Sequence, residues 1–279
     1  MTWSRQIIET SRGTFEIFTK GHGRPMVVTH SYSEFNGTGD YFADCFTSIY
    51  KVYLVNLREA GHSAKAKEAH QLTLVESILD LEAIRESFSF KYWTFAGHST
   101  GGILGILYSV LFPNRIEQQI IVGAAARDFT YSSPSCIYHQ DHPHYQTMQI
   151  LLEQLRSPDL TSEERKALTK DRTKLSLYHP EKYHTYFNQS ITKKISPVRL
   201  LVFSRELLIF DITKKLSSCS VKSLIICGEH DVQCPLEFSI EMSEQLPNST
   251  LFSFEHSNHY PFLEEKNRFE EVVTHYLTK

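Results

Sequence analysis

Apolar residues along the chain fall into short, nearly continuous runs. "MVVTH" (26–30), "VYLVN" (52–56), "YWTFAGH" (92–98), "QQIIVGA" (118–124), "SLIICGE" (223–229) and "TLFSFE" (250–255) each read as a strand. Runs without polar alternation suit strands covered on both faces. "RQIIET" and "TFEIFTKG" flank the turn at Ser11-Arg12-Gly13 and predict an opening hairpin. Between strands the period changes. Residues 71–88 put Leu74, Val75, Ile78, Leu79 and Leu81 on one helical stripe, and 101–112 predict a shorter, more apolar helix. Strand, helix, strand, repeated, predicts an α/β fold: a mostly parallel central sheet with helices on both faces.

One segment breaks this rhythm. From Arg127 to Ser220 the pattern is helical and polar, rich in Tyr and His. Within it "DLTSEERKAL" predicts a helix with Ser162 as the N-cap candidate ahead of Glu163 and Glu164. The expected organisation is a core of residues 1–126 and 221–279, with 127–220 inserted as a helical cap (lid) over one sheet edge.

Composition narrows the class. With 279 residues, 41% of them hydrophobic, the chain can bury one sizeable core. Its 29 Lys and Arg nearly balance 32 Asp and Glu, so charge supplies no reason to expect nucleic acid or an anionic membrane as partner. The apolar run around Ile103–Phe112 is too short to span a bilayer. Five cysteines without a CxxC pair, and no signal peptide in "MTWSRQIIET", lead to the expectation of a cytoplasmic protein with reduced thiols. Oligomeric state is left open.

The candidate chemistry starts at "AGHSTGG". Gly97-His98-Ser99-Thr100-Gly101 follows a predicted strand and opens a predicted helix, a context in which a strained turn presents a serine hydroxyl. The helix start adds N–H donors that favour a developing oxyanion. A serine nucleophile needs a base, and the base an orienting acid. Asp231 and the pair His256 and His259 each fall just past a later strand, on the same sheet edge.

These residues occur in motifs that resemble the α/β-hydrolase superfamily along nearly the whole chain. "VVTHSY" stands at the family's oxyanion loop. "VNLREAGHS" is similar to its Asp-x-Arg-Gly-x-Gly-x-Ser stretch, with Asn56 for the aspartate and Glu59 for a glycine. "GEHDVQCP" and "SNHYPFLEE" resemble its acid and histidine loops. The resemblance implies a serine hydrolase with Ser99, Asp231 and His259 as its triad and no cofactor or metal. His259 is preferred to His256 because His259-Tyr260-Pro261 with Glu264 follows the family pattern. Asn258 stands for a glycine there, and Asn tolerates positive φ well. Asp128, in "VGAAARD", is the alternative acid, otherwise a capping residue. The oxyanion donors are expected to be the N–H groups of Thr100 and Tyr32, with Ser31 as second choice.

Other features stay open. His139, His142 and His144 in "YHQDHPHY" lack metal-ligand spacing and read as a solvated loop. Cys227 and Cys234 flank Asp231 and read as buried or loop thiols. Tyr131, Tyr138, Tyr183, Tyr186 and Phe187 line an acyl pocket or form the cap's own core. The expected reaction is cleavage of a small-molecule ester, thioester, lactone or amide through an acyl-enzyme. The cap and "FDITKKL" also look similar to proline iminopeptidase-like proteins, whose substrate amine would need an acid such as Glu153, Glu181 or Glu206. "GHSTGG" also resembles cofactor-free perhydrolases. The rival of another class is a ligand-binding or signalling protein on the same fold.

Overall fold

The computed structural model describes residues 2–157 and 159–278. Eight strands form the central sheet: β1 (Ser4–Thr10), β2 (Gly13–Lys20), β3 (Pro25–Val28), β4 (Lys51–Val55), β5 (Trp93–His98), β6 (Ile116–Val122), β7 (Lys222–Gly228) and β8 (Ser249–Phe254). Their spatial order is β1-β2-β4-β3-β5-β6-β7-β8. The hairpin β1-β2 is antiparallel and β2 runs antiparallel to β4, while every pairing from β4 to β8 is parallel.

Period-two alternation explains why the apolar runs have no polar side. Val27, Tyr53 and Ile225 enter one core beneath helices α1 (Leu74–Ser87) and α2 (Thr100–Leu111). Their neighbours Met26, Val28, Leu54 and Ile226 enter a second core on the opposite face, with Phe42, Phe46 and Phe269. Both faces are covered, so the central strands are mostly apolar on both sides, with a few buried polar residues such as Gln119 and Ser223 that bond one another.

On α1 the expected stripe is only partly right. Leu74, Ile78 and Leu81 are buried, but Val75 is 45% exposed. The buried side of the helix instead includes Asp80, which holds Arg58 in a two-pronged bond at 2.9 and 3.0 Å and accepts from Arg12 at 2.7 Å. Hydrophobic periodicity cannot register a buried ion cluster, and such a carboxylate stays buried only because it is paired.

Between β6 and β7 lie α3 (Tyr145–Leu155), α4 (Ser162–Lys174) and α5 (Pro197–Leu207), and among the described residues no strand of the central sheet. The segment's two ends are zipped together: Ile212 N donates to Ala126 O (2.9 Å) and Asp128 N to Phe210 O (3.0 Å). A two-residue ribbon, Ser33–Glu34 with Lys194–Ile195, ties it to the loop after β3. The N-cap of α4 is Thr161, one residue before the expected Ser162. Thr161 and Glu164 form a reciprocal capping box, which Ser162 would begin one residue out of register. Among the described residues no helix is long and apolar enough to cross a membrane.

Candidate active site

Five loops meet at the carboxyl edge of the sheet. β5 ends at His98, and Ser99 turns the chain into α2 with φ 56° and ψ −125°, a region costly for any residue with a Cβ. The turn is wedged in place. A Cβ on Gly97 would strike the Gly101 backbone, and Ser99 N donates to Val122 O at 2.9 Å. The chain has no room to relax, so the strain persists and the hydroxyl stays at the edge.

Asp231, in the loop after β7, and His259, after β8, are both buried. His259 Nδ1 lies 2.9 and 3.1 Å from the two oxygens of Asp231. Asp231 is itself fixed by the N–H groups of Gln233 (2.8 Å) and Cys234 (2.9 Å). Gly123, the residue after β6, connects this pair to the elbow. At φ 53°, a Cβ there would sit 2.9 Å from Asp231 Oδ2 and 3.2 Å from His259 Nδ1. The apolar run 118–124 places Gly123 within a strand, whereas the strand ends at Val122 and leaves Gly123 at the site.

The histidine loop is held from several sides. Glu264 accepts backbone N–H groups of Tyr178 (2.6 Å), Asn258 (2.9 Å) and Tyr260 (3.2 Å). Asn258 does not adopt the positive φ expected of it. Its side chain instead accepts the Val232 N–H at 3.0 Å, bridging the acid and histidine loops, a task a glycine could not perform. Glu59 does take positive φ, 66°, where the superfamily motif has glycine. Asn56 Nδ2 donates to Glu16 (2.8 Å) and to Phe35 O (3.0 Å), linking β2 to the loop after β3.

Burial shapes the titrations. His98 Nε2 donates to His259 O (2.7 Å), and burial, with the adjacent His259, holds the His98 pKa well below the usual histidine range. Glu264 moves the opposite way, pushed by burial to about 7 against its three N–H donors. The unfolded chain binds a proton at His98 near pH 6.5 that the folded chain refuses. Stability from His98 is therefore present above pH 6.5 and lost as pH falls below it. Glu264 stability is lost as pH rises from the ordinary carboxylate range through 7. His98→Gln keeps an N–H toward His259 O without the titration. Urea unfolding between pH 5 and 7 should then show a pH slope shallower than wild type by about one proton. An unchanged slope would contradict a neutral, half-buried His98. Burial also raises the Cys227 and Cys234 thiols well above their usual range, with Asp231 adding to the effect, so both stay protonated.

At the loop after β3, Ser31 N donates to Thr100 Oγ1 (3.2 Å), so that donor is already engaged. Tyr32 N has only a long contact to His30 Nδ1 (3.4 Å). The Tyr32 ring stands edge-on to His30 and packs on Phe203 of α5. Arg199 of α5 grips this loop. Its guanidinium donates to Ser31 O, to Arg58 O (2.9 Å) and to Ser77 Oγ (2.8 Å). The inserted segment also reaches the histidine: His259 N donates to Ser176 O (3.3 Å), and Ser176 Oγ accepts from Gln233 Nε2 (3.0 Å).

Several sequence candidates lie apart from this cluster. Asp128 caps its own turn, accepting from Thr130 N (3.1 Å) and Tyr131 N (3.2 Å). His256 is exposed and rests near Tyr178. His139 and His142 accept backbone N–H groups of Asp141 and His144. Glu153 pairs with Arg156, Glu181 with His179, and Glu206 accepts the Leu74 N–H. Of the aromatics, Tyr131 is exposed and Tyr183 stacks on Phe187. Two aromatics instead border the cluster: Tyr138 donates to Gln233 Oε1 (2.9 Å), and Phe187 packs on Tyr260.

The fold and this edge of converging loops define an α/β-hydrolase. The chain belongs to the alpha/beta hydrolase fold family, which it matches over residues 22–266, and it is an enzyme of carboxylesterase-like kind. It is similar over 99% of its length to all of an alpha/beta fold family hydrolase from Bacillus anthracis str. Sterne, with 40% identity and a TM-score of 0.95. It is 24% identical over 265 residues to a pimeloyl-[acyl-carrier protein] methyl ester esterase of Nitrosomonas europaea, covering 92% of this chain and 96% of that protein. A putative carbamate hydrolase of Pseudomonas syringae pv. syringae is 21% identical over 257 residues, covering 88% of this chain and 92% of that one.

Proposed function

We propose that this hydrolase cleaves a small carboxylic ester through an acyl-enzyme on Ser99. The observation that supports this best is His259 Nδ1 facing both oxygens of Asp231, beside the strained turn at Ser99. In this reading His259 Nε2 takes the Ser99 proton as Oγ attacks the carbonyl carbon. The N–H groups of Thr100 and Tyr32 receive the oxyanion. Collapse breaks the acyl C–O bond, and the alcohol leaves with the proton from His259. A water then repeats the attack, its proton passing to His259, and releases the acid and Ser99. Asp231 holds the Nδ1–H tautomer and stabilises the imidazolium. Tyr32 is preferred to Ser31 because the Ser31 N–H is committed to Thr100. Residues 127–220 act as the cap that covers the site.

The named activity of the Nitrosomonas europaea relative, a methyl ester esterase, agrees with an ester substrate. An aminopeptidase reading finds less support, because Glu153, Glu181 and Glu206 each have partners away from the cluster. A fluorophosphonate should label the protein once, on the peptide containing Ser99. The p-nitrophenyl esters of acetate, butyrate and octanoate should be hydrolysed, and proline p-nitroanilide should not. Absence of both labelling and ester turnover would point to a non-catalytic binding protein. Faster cleavage of the anilide would restore the peptidase.

A further inference from the structure

The last turn of α4 carries Arg172, in a helix that reads as solvated from its sequence, "SEERKALTKDRTK". Arg172 does not behave as a surface cation. Its Nε is buried with no hydrogen-bond partner, and among the described residues no carboxylate pairs with it. It lies deep among the phenols of Tyr32, Tyr138 and Tyr260, close enough that guanidinium and phenols alter one another's ionisation. These are the residues around the site. Tyr32 follows the loop held by Arg199, Tyr260 adjoins His259, and Tyr138 is bonded to Gln233 beside Asp231. Four residues after Arg172, Ser176 O accepts the His259 N–H. All four side chains keep some accessible surface despite this depth.

A buried guanidinium N–H without an acceptor is costly, and the cost persists where a ligand supplies the acceptor. The neighbouring cations are already committed: Arg199 to two carbonyls and a hydroxyl, and Lys193 to Asp40 at 2.7 Å. One uncommitted positive charge matches one negative charge. The planar fork of arginine, with the Tyr32 phenol beside it, fits a carboxylate. A helix-end cation serving only the backbone dipole would sit in solvent, as Lys174 can on the same turn.

We propose that the substrate is an ester that also carries a free carboxylate, such as a half-ester of a dicarboxylic acid, and that Arg172 holds this carboxylate while Ser99 acts on the ester carbonyl. This rests on the serine-hydrolase reading above. The carboxylate takes no part in bond making or breaking; it sets register and selects the substrate.

Monomethyl succinate, glutarate and adipate should be compared with methyl pentanoate by titrating released acid. Wild type should favour at least one half-ester, and Arg172→Met should lower its kcat/KM about 10- to 100-fold, leaving methyl pentanoate within about threefold. Arg172→Lys should recover part of the loss. Equal loss on charged and neutral esters, or a wild type indifferent to the carboxylate across the series, would overturn the proposal. Calorimetric binding of monomethyl glutarate to Ser99→Ala keeps this test separate from that of the hydrolase reading. Binding that vanishes in Ser99→Ala/Arg172→Met supports the carboxylate site even if no ester is turned over. Absence of binding at millimolar ligand counts against it even if neutral esters are cleaved.

Discussion

Ser99→Ala should lower kcat for p-nitrophenyl butyrate roughly 10⁴- to 10⁶-fold while leaving chemical unfolding nearly unchanged. The two effects separate because the fold uses only the backbone of Ser99. Its N–H bonds Val122 O, and its carbonyl accepts Gly102 N at 2.8 Å. Alanine keeps both bonds and the same unfavourable φ of 56°. Ser99→Gly should be as inactive as alanine yet about 1 kcal/mol more stable, because glycine adopts this conformation without the steric cost. Steady-state kinetics and urea titration of the three proteins check both statements. Turnover by Ser99→Ala within about tenfold of wild type would place the nucleophile elsewhere. A less stable Ser99→Gly would show that the turn is unstrained.

Arg199→Met should destabilise the protein by about 3–5 kcal/mol and lower Tm by roughly 6–15 °C. Arg199 is buried, and its three contacts leave Ser31 O, Arg58 O and Ser77 Oγ without their donor once it is removed. Burial lowers the Arg199 pKa to about 10, so it remains charged at neutral pH and each bond is charge-assisted. Methionine fills similar volume but satisfies none of the three. Arg199→Lys should rescue little, since a single ammonium cannot span acceptors arranged around a planar fork. Activity should fall together with stability, because the Ser31 carbonyl is in the loop that carries Tyr32. Calorimetry with ester kinetics measures both. A Tm within about 2 °C of wild type would show that water replaces the guanidinium.

The elements easiest to read from the chain were those whose signal is local. Apolar runs at "VYLVN" and "SLIICGE" predict doubly covered strands because alternation sends successive residues into two cores, and both cores are apolar. The turn "GHSTGG" is legible for the same kind of reason, since its crowding involves only neighbouring backbone. Where polar groups replace apolar ones inside, legibility fails. The burial of Asp80 depends on Arg12 and Arg58, which arrive from β2's hairpin turn and the loop after β4, and no periodicity along α1 contains them.

The sequence by itself determined the β-α order, the elbow at Ser99, and Asp231 and His259 as loop residues on one sheet edge. Backbone period, turn chemistry and strand order are enough for these. Tertiary structure alone decided that Asp231 rather than Asp128 meets His259, that Asn258 works through its side chain, and that Gly123 leaves room for the pair. It alone separated Arg172 and Arg199 from the other basic residues of polar helices. A long arginine side chain can reach solvent or turn inward from the same backbone position, and only the elements packed across from it settle which.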